Sequence, residues 1–360
     1  MQPRPELRAL APALHGSAPP SAGPVLDFSA STNPLGPAPS VVAAARAAAF
    51  ERYPEPQAAT LRAALAGRLG LPPERVVVGN GSVELIWLLA LASLERGQRV
   101  VVVGPTFAEY ARAARLMGAQ VVEYRAAAAD SFHVDVPAVC GLAERLRPAL
   151  TVLCNPNNPT GIYLGRESVE ALLAATAGLL VVDEAYVPFT DERWDIRPLL
   201  DDERLVVVRS MTKDHALAGL RLGYALGARA VMQAMQWAQP PWSVNAAAQA
   251  AGLAALDAEQ HVARGRALAR EASAYLAAGL RALGLAVLPS AANFFLVAVP
   301  DAPSVAAALR AEGIYVRDCT SFGLPTHLRL AARPLAECDA LLAALRRALA
   351  TAEAAVGARP

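Results

Sequence analysis

Between about residues 41 and 245 the chain alternates short, β-branched apolar runs with helical patterns. The runs are Val76 to Val78, Val100 to Val103, Leu150 to Cys154, Leu179 to Val182 and Leu205 to Val208. Strands this continuously apolar need cover on both faces, so the pattern predicts an α/β fold: a mainly parallel sheet with helices on each side. Around this stretch the punctuation changes. Residues 1–40 are Pro-rich and irregular, an expected arm that joins a smaller domain. A Pro-rich break at Gln239-Pro240-Pro241-Trp242 precedes a long Ala/Leu/Arg helical region reaching about residue 283. Beyond it, Ala286 to Leu288, Asn293 to Val299 and Leu328 to Leu330 read as strands, and Ala336 to Ala350 as an amphipathic helix. The expected division is an arm at 1–40, a large domain at 41–245 and a small α+β domain at 246–360.

Lysine occurs once, at position 213, among 33 basic side chains. Arginine keeps a delocalised charge that proteins cannot remove, whereas the lysine amine can lose its proton and attack a carbonyl. A lone retained lysine is either a surface survivor or an imine-former of the kind that holds pyridoxal phosphate (PLP). Its surroundings, Ser210-Met211-Thr212-Lys213 through Gly219-Leu220-Arg221, follow the Leu205 to Val208 run. A serine hydroxyl and an arginine fork on either side of the lysine can converge on one phosphate dianion.

Three more strand ends carry polar turns. Asn155-Pro156-Asn157-Asn158-Pro159-Thr160-Gly161 is a structural turn or a ligand-facing loop at a strand's carboxyl end. Asp183, in Val181-Val182-Asp183-Glu184-Ala185-Tyr186, is either a helix cap or an acid placed under a heteroaromatic nitrogen. Gly79-Asn80-Gly81-Ser82-Val83 turns into a helix near Glu84, and amides at such a start bind phosphate. Phe107, in Gly104-Pro105-Thr106-Phe107, is a core ring or a stacking ring.

In this order and spacing the segments resemble the class I/II (fold type I) PLP-dependent aminotransferase superfamily. The resemblance implies PLP as cofactor, with Lys213 as its imine-forming lysine and Asp183 at the pyridine nitrogen. It places Tyr186 and Asn158 at the phenolic oxygen and Phe107 on the ring. Gly81, Ser82, Val83, Ser210 and Arg221 would hold the phosphate. Arg52-Tyr53-Pro54 resembles the segment whose tyrosine reaches a neighbouring subunit's phosphate, which implies a homodimer with composite sites.

Within that superfamily the resemblance is nearest to L-threonine-O-3-phosphate decarboxylases of cobalamin biosynthesis. It is carried by Leu26-Asp27-Phe28-Ser29-Ala30, Asn33-Pro34-Leu35-Gly36, Phe107-Ala108-Glu109-Tyr110 and Pro241-Trp242-Ser243-Val244-Asn245. It implies release of carbon dioxide from threonine phosphate to give (R)-1-amino-2-propanol O-2-phosphate, with Arg317, Arg329, Asn33 and His15 on the substrate. Histidinol-phosphate aminotransferases share the same motifs and are the alternative. PLP weakens whichever Cα bond stands perpendicular to its ring, so the choice depends on how the substrate is held.

Composition narrows the remaining classes. A net charge of +1 offers no electrostatic case for nucleic acid or membrane surfaces. The longest strongly apolar run, Leu85 to Leu94, lies between two glutamates and is far short of the ~20 residues that span a bilayer. No secretory signal is read in the Pro-rich first twenty residues, and a cytoplasmic location is expected. Cys140, Cys154, Cys319 and Cys338 lack metal or disulfide spacing. A PLP-fold transcriptional regulator would need a helix-turn-helix module ahead of the sheet, and the Pro-rich leader does not supply one.

Overall fold

The computed structural model describes residues 2, 4–8, 10 and 25–357. Twelve strands are present among them: β1 (Leu26–Asp27), β2 (Val76–Gly79), β3 (Arg99–Gly104), β4 (Gln120–Arg125), β5 (Leu150–Cys154), β6 (Leu179–Asp183), β7 (Leu205–Ser210), β8 (Gly223–Leu226), β9 (Phe294–Ala298), β10 (Ile314–Tyr315), β11 (Arg317–Asp318) and β12 (His327–Ala331). Seven of them form one sheet in the order β2-β8-β7-β6-β5-β3-β4. Pairing is parallel throughout except at β8, which runs antiparallel to both β7 and β2.

The apolar runs are buried because both faces are covered. Val76, Val78, Leu180, Val182, Leu205 and Val207 point into one core, shared with helices Pro39–Arg46, Ala59–Leu69, Arg166–Ala175 and Ala246–Ala255. Their neighbours Val77, Val181, Val206 and Val208 point into the other, under helices Gly81–Ser93, Glu109–Leu116 and Arg229–Ala238. This period of two within unbroken apolar runs is what a doubly covered sheet requires.

A third core joins β9, β12 and the helices Glu259–Ala282, Ala302–Ala311 and Leu335–Gly357, with Phe28 and Phe189 inserted. The small antiparallel sheet there has the order β11-β12-β9. The expected mainly parallel sheet and smaller α+β unit are thus both present. The change of core falls near residue 258 rather than at the Pro-rich break, because Ala248, Ala251, Ala255 and Ala258 still belong to the core on one face of the large sheet. Ala286 to Leu288 makes only an isolated bridge, Val287 to Val297, instead of a full strand.

One consequence of the topology positions the site. β2, β3, β5, β6 and β7 all end at the same edge, and β8 begins there, with Gly223 in register between Gly79 and Ser210.

Candidate active site

The floor of the site is Asp183, the last residue of β6, buried beneath the strand ends. Its Oδ1 accepts the Ala185 backbone N–H (2.9 Å) and its Oδ2 accepts the Tyr110 hydroxyl (2.8 Å). Burial pushes its carboxyl up to about 6, against the pull of Tyr110, the Ala185 amide and Lys213. Tyr110 is itself buried, and burial beside Asp183 holds its phenol well above the usual range, so it remains a donor. Sequence reading gave Tyr110 no role. It occupies the first turn of Glu109–Leu116, and Phe107 meets its ring edge-on at 5.7 Å.

Lys213 lies in the loop after β7, its Nζ 5.5 Å from the centre of the buried Tyr186 ring. Tyr186 is held edge-to-face on Phe294 of β9, with centroids 4.8 Å apart. Asn158 is buried in the turn after β5, and its Oδ1 accepts a hydrogen bond from Arg329 Nη1. Behind the floor Arg209 pairs with buried Glu184 (Nη2 to Oε2, 2.7 Å).

Gly81, Ser82 and Val83 open the helix Gly81–Ser93, whose first amides have no partner within the helix. Ser210 ends β7, its Oγ 2.7 Å from Thr212 Oγ1. Arg221, with a left-handed backbone at φ 58°, brings its guanidinium against Gly81. A Cβ at Gly81 would lie 2.7 Å from Arg221 Nη2, and one at Gly223 would lie 2.7 Å from the Ser82 amide nitrogen. Only glycine leaves this cup open. Helix-start amides, a hydroxyl and an arginine fork around such a gap suit a phosphate dianion, while the buried acid and sole lysine suit a pyridine aldehyde. The residues present therefore fit PLP.

The two arginines expected on the substrate come from the small sheet. Arg329 on β12 donates through Nη2 to Ser29 O (2.7 Å) and lies 4.9 Å above the Phe294 ring. Arg317 on β11 donates to Ser321 Oγ (2.7 Å) and lies 5.1 Å from the Phe322 ring. Burial, and then the nearness of Arg329, lowers the Arg317 pKa. Asn33 does not join them. Its side chain donates to Asp214 O on the lysine loop, at 2.9 Å. His15 lies outside the described residues. Tyr53 is 80% exposed and stacks on Trp242 (centroids 4.5 Å apart). No group of three or more potential metal ligands occurs among the described residues, nor does any helix long and apolar enough to cross a membrane.

Residues 23–345 match the family model for aminotransferase class I and II. A histidinol-phosphate aminotransferase of Symbiobacterium thermophilum is 46% identical over 304 residues, covering 83% of each chain. One from Anaeromyxobacter sp. is 39% identical over 339 residues, covering 90% of this chain and 91% of the relative. Among solved structures, histidinol-phosphate aminotransferase from Sinorhizobium meliloti in complex with pyridoxal-5'-phosphate superposes with a TM-score of 0.84 at 26% identity, covering 96% and 97% of the two chains.

These relatives overturn the expectation of a threonine-phosphate decarboxylase serving cobalamin biosynthesis. The physical reason lies in the segments that suggested it. Phe28 is core, Tyr110 supports Asp183, and Asn33 grips the lysine loop. Such scaffolding behind the cofactor is needed whichever bond is broken, so it cannot separate a lyase from a transaminase.

Proposed function

This chain belongs to the aminotransferase class I and II family, and from that premise we propose that it transfers the amino group of histidinol phosphate to 2-oxoglutarate. The observation carrying this reading is the pair of buried arginines, Arg317 and Arg329, facing each other across β11 and β12. A phosphorylated amine and a dicarboxylate must use the same site in turn, and both present an anion to such a pair. Relatives of that name at up to 46% identity support the choice, as part of histidine biosynthesis.

When bound, PLP acts as an electron sink for the substrate carbon. The protein's part is to hold and to move protons. Asp183 is placed to keep a proton on the pyridine nitrogen, and the Tyr110 hydroxyl fixes the carboxylate that does so. Asn158 and Tyr186 would serve the cofactor's phenolic oxygen, and the Gly81–Val83 amides with Ser210 and Arg221 would hold its phosphate. Lys213, the chain's single lysine, would supply the amine that takes the proton from Cα of an amine substrate. Arg317 and Arg329 hold the substrate's anionic group so that its Cα–H faces that amine. Tyr53 reaches the phosphate cup of a second copy, so the active form is a homodimer.

The test is a pair of incubations of purified, cofactor-loaded protein. Histidinol phosphate with 2-oxoglutarate should yield glutamate, and threonine phosphate should release no carbon dioxide. Absence of glutamate formation sinks the substrate assignment.

A further inference from the structure

The segment Phe28–Gly36 runs from the substrate-side arginine to the lysine loop and hydrogen-bonds to both. At one end Ala331 N–H donates to Phe28 O (2.8 Å) and Arg329 Nη2 to Ser29 O (2.7 Å). In the middle, Asn293 Nδ2 donates to Thr32 O (3.1 Å). At the far end stands Asn33, only 2% exposed. Its backbone N–H donates to Lys213 O (2.8 Å), its Nδ2 to Asp214 O (2.9 Å), and its Oδ1 accepts the Leu35 N–H (3.0 Å). One turn further on, His261 Nε2 lies 2.9 Å from Gly36 O.

The surroundings are cut to this side chain. A Cβ at Gly265, on the helix Glu259–Ala282, would lie 2.1 Å from Asn33 Oδ1, so only glycine leaves room for the amide. The loop it grips is under strain, with left-handed backbone at Ala216 and Arg221. Non-glycine residues hold such conformations only where neighbours over-determine them. Both ends of the Asn33 amide are already engaged by backbone, the donor by the residue next to the lysine.

We infer that Asn33 is a positioning residue for Lys213. By holding the carbonyls of Lys213 and Asp214, it fixes the backbone from which the amine reaches the cofactor and the substrate Cα. The inference rests on Lys213 being the cofactor lysine and is independent of which amine is the substrate.

Asn33→Ala removes both side-chain bonds. Asn33→Asp is nearly isosteric, keeps the acceptor for Leu35 and loses the donor to Asp214 O, so it carries the test should the alanine variant not fold. Three readouts separate the possibilities: the rate at which added PLP becomes borohydride-fixed to Lys213 in apoprotein, the pH midpoint of the bound cofactor's absorbance, and kcat against KM. Misplacement of a reacting group by a fraction of an ångström should slow labelling and lower kcat by roughly tenfold to a hundredfold. The absorbance midpoint should move and KM should stay within about twofold. A raised KM with unchanged labelling and midpoint would put Asn33 on the substrate and overturn the inference. So would a lower melting temperature with all three readouts unchanged, which would make Asn33 a structural residue only. If wild-type protein were labelled nowhere or away from Lys213, the cofactor lysine itself would be misassigned, a failure distinct from the other two.

Discussion

Arg317 and Arg329 are direct cross-strand partners in the antiparallel pair β11–β12, two buried cations set side by side on one small sheet. Like charges directly opposite each other destabilise a sheet, a cost that an anion bound between them would offset. Their attachments differ. Arg317 is held by Ser321 and Phe322, whereas Arg329 also reaches Asn158.

That difference predicts two kinetic signatures. Arg317→Lys should raise KM for both substrates by roughly tenfold to a hundredfold with kcat little changed, the loss of one charge-assisted fork. Arg329→Lys should lower kcat as well, because Asn158 loses its partner. The double variant should fall short of additivity, since the two sites touch the same ligand. Steady-state kinetics on the three proteins check this; additive losses would mean that the arginines serve separate ligands.

Asp183 predicts an unusual dependence of apoprotein stability on pH. Its folded-state pKa, about 6, lies above the unfolded value of 3.8, so the native state binds the extra proton. Stability therefore falls as pH rises from about 4 to about 6, by on the order of 3 kcal/mol. Asp183→Asn apoprotein should gain much of that amount at neutral pH and nothing below about pH 4. The same variant should retain PLP yet lose most turnover, because an amide cannot keep the pyridine nitrogen protonated. Urea unfolding at several pH values, beside kcat, measures both halves.

Tyr110→Phe removes one hydrogen bond from the Asp183 carboxylate and leaves the packing almost intact. Without that donor the carboxyl pKa should rise further. The acid limb of the pH–kcat profile should move to higher pH, with kcat at neutral pH down roughly tenfold. An unshifted profile would reduce Tyr110 to packing.

Lys213→Ala should abolish turnover without rescue, since the chain has no other lysine. Borohydride should fix PLP to one peptide of the wild type and to none of the variant. Labelling that persisted in the variant would contradict the cofactor assignment.

The composite site is tested by mixing. Tyr53, with exposed Phe50 and Trp242 near it in sequence or space, lies on a surface that a second copy would cover. Combining Lys213→Ala with Tyr53→Ala chains gives heterodimers in which one site collects both defects and the other none. Partial activity should return. Heterodimers without recovery, or an active monomer by sedimentation, would rule the arrangement out.

Three parts of the site that stood out in the sequence, apart from the single lysine, share one property: each terminates an apolar run. Asp183, Ser210 and the Asn155–Gly161 turn end strands that burial forces to be apolar, so a polar residue there stands out. Tyr110 had no such contrast. Its partner is 73 positions away, and a tyrosine in the first turn of a helix looks like any half-buried ring. Asn33 was legible as important but not in its direction, since whether it faces a substrate or a carbonyl 181 positions on is decided by packing against Gly265. The choice between transamination and decarboxylation was beyond reach for a similar reason. The segments compared lie behind the cofactor, while the choice of bond depends on how two arginines aim a ligand.

The single reversed strand, β8, has a consequence for how the protein is made. Within the sheet, β2 pairs only with Gly223–Leu226. A ribosome must therefore complete more than half of the chain before this early segment has a neighbour to pair with, and closing so long a loop is entropically costly and slow. Until then the apolar Val76–Val78 run has no strand on either side, the kind of surface that aggregates or recruits chaperones. Assembly of the cofactor cup, which needs Gly223 beside Gly79 and Ser210, is thus a late event in biogenesis.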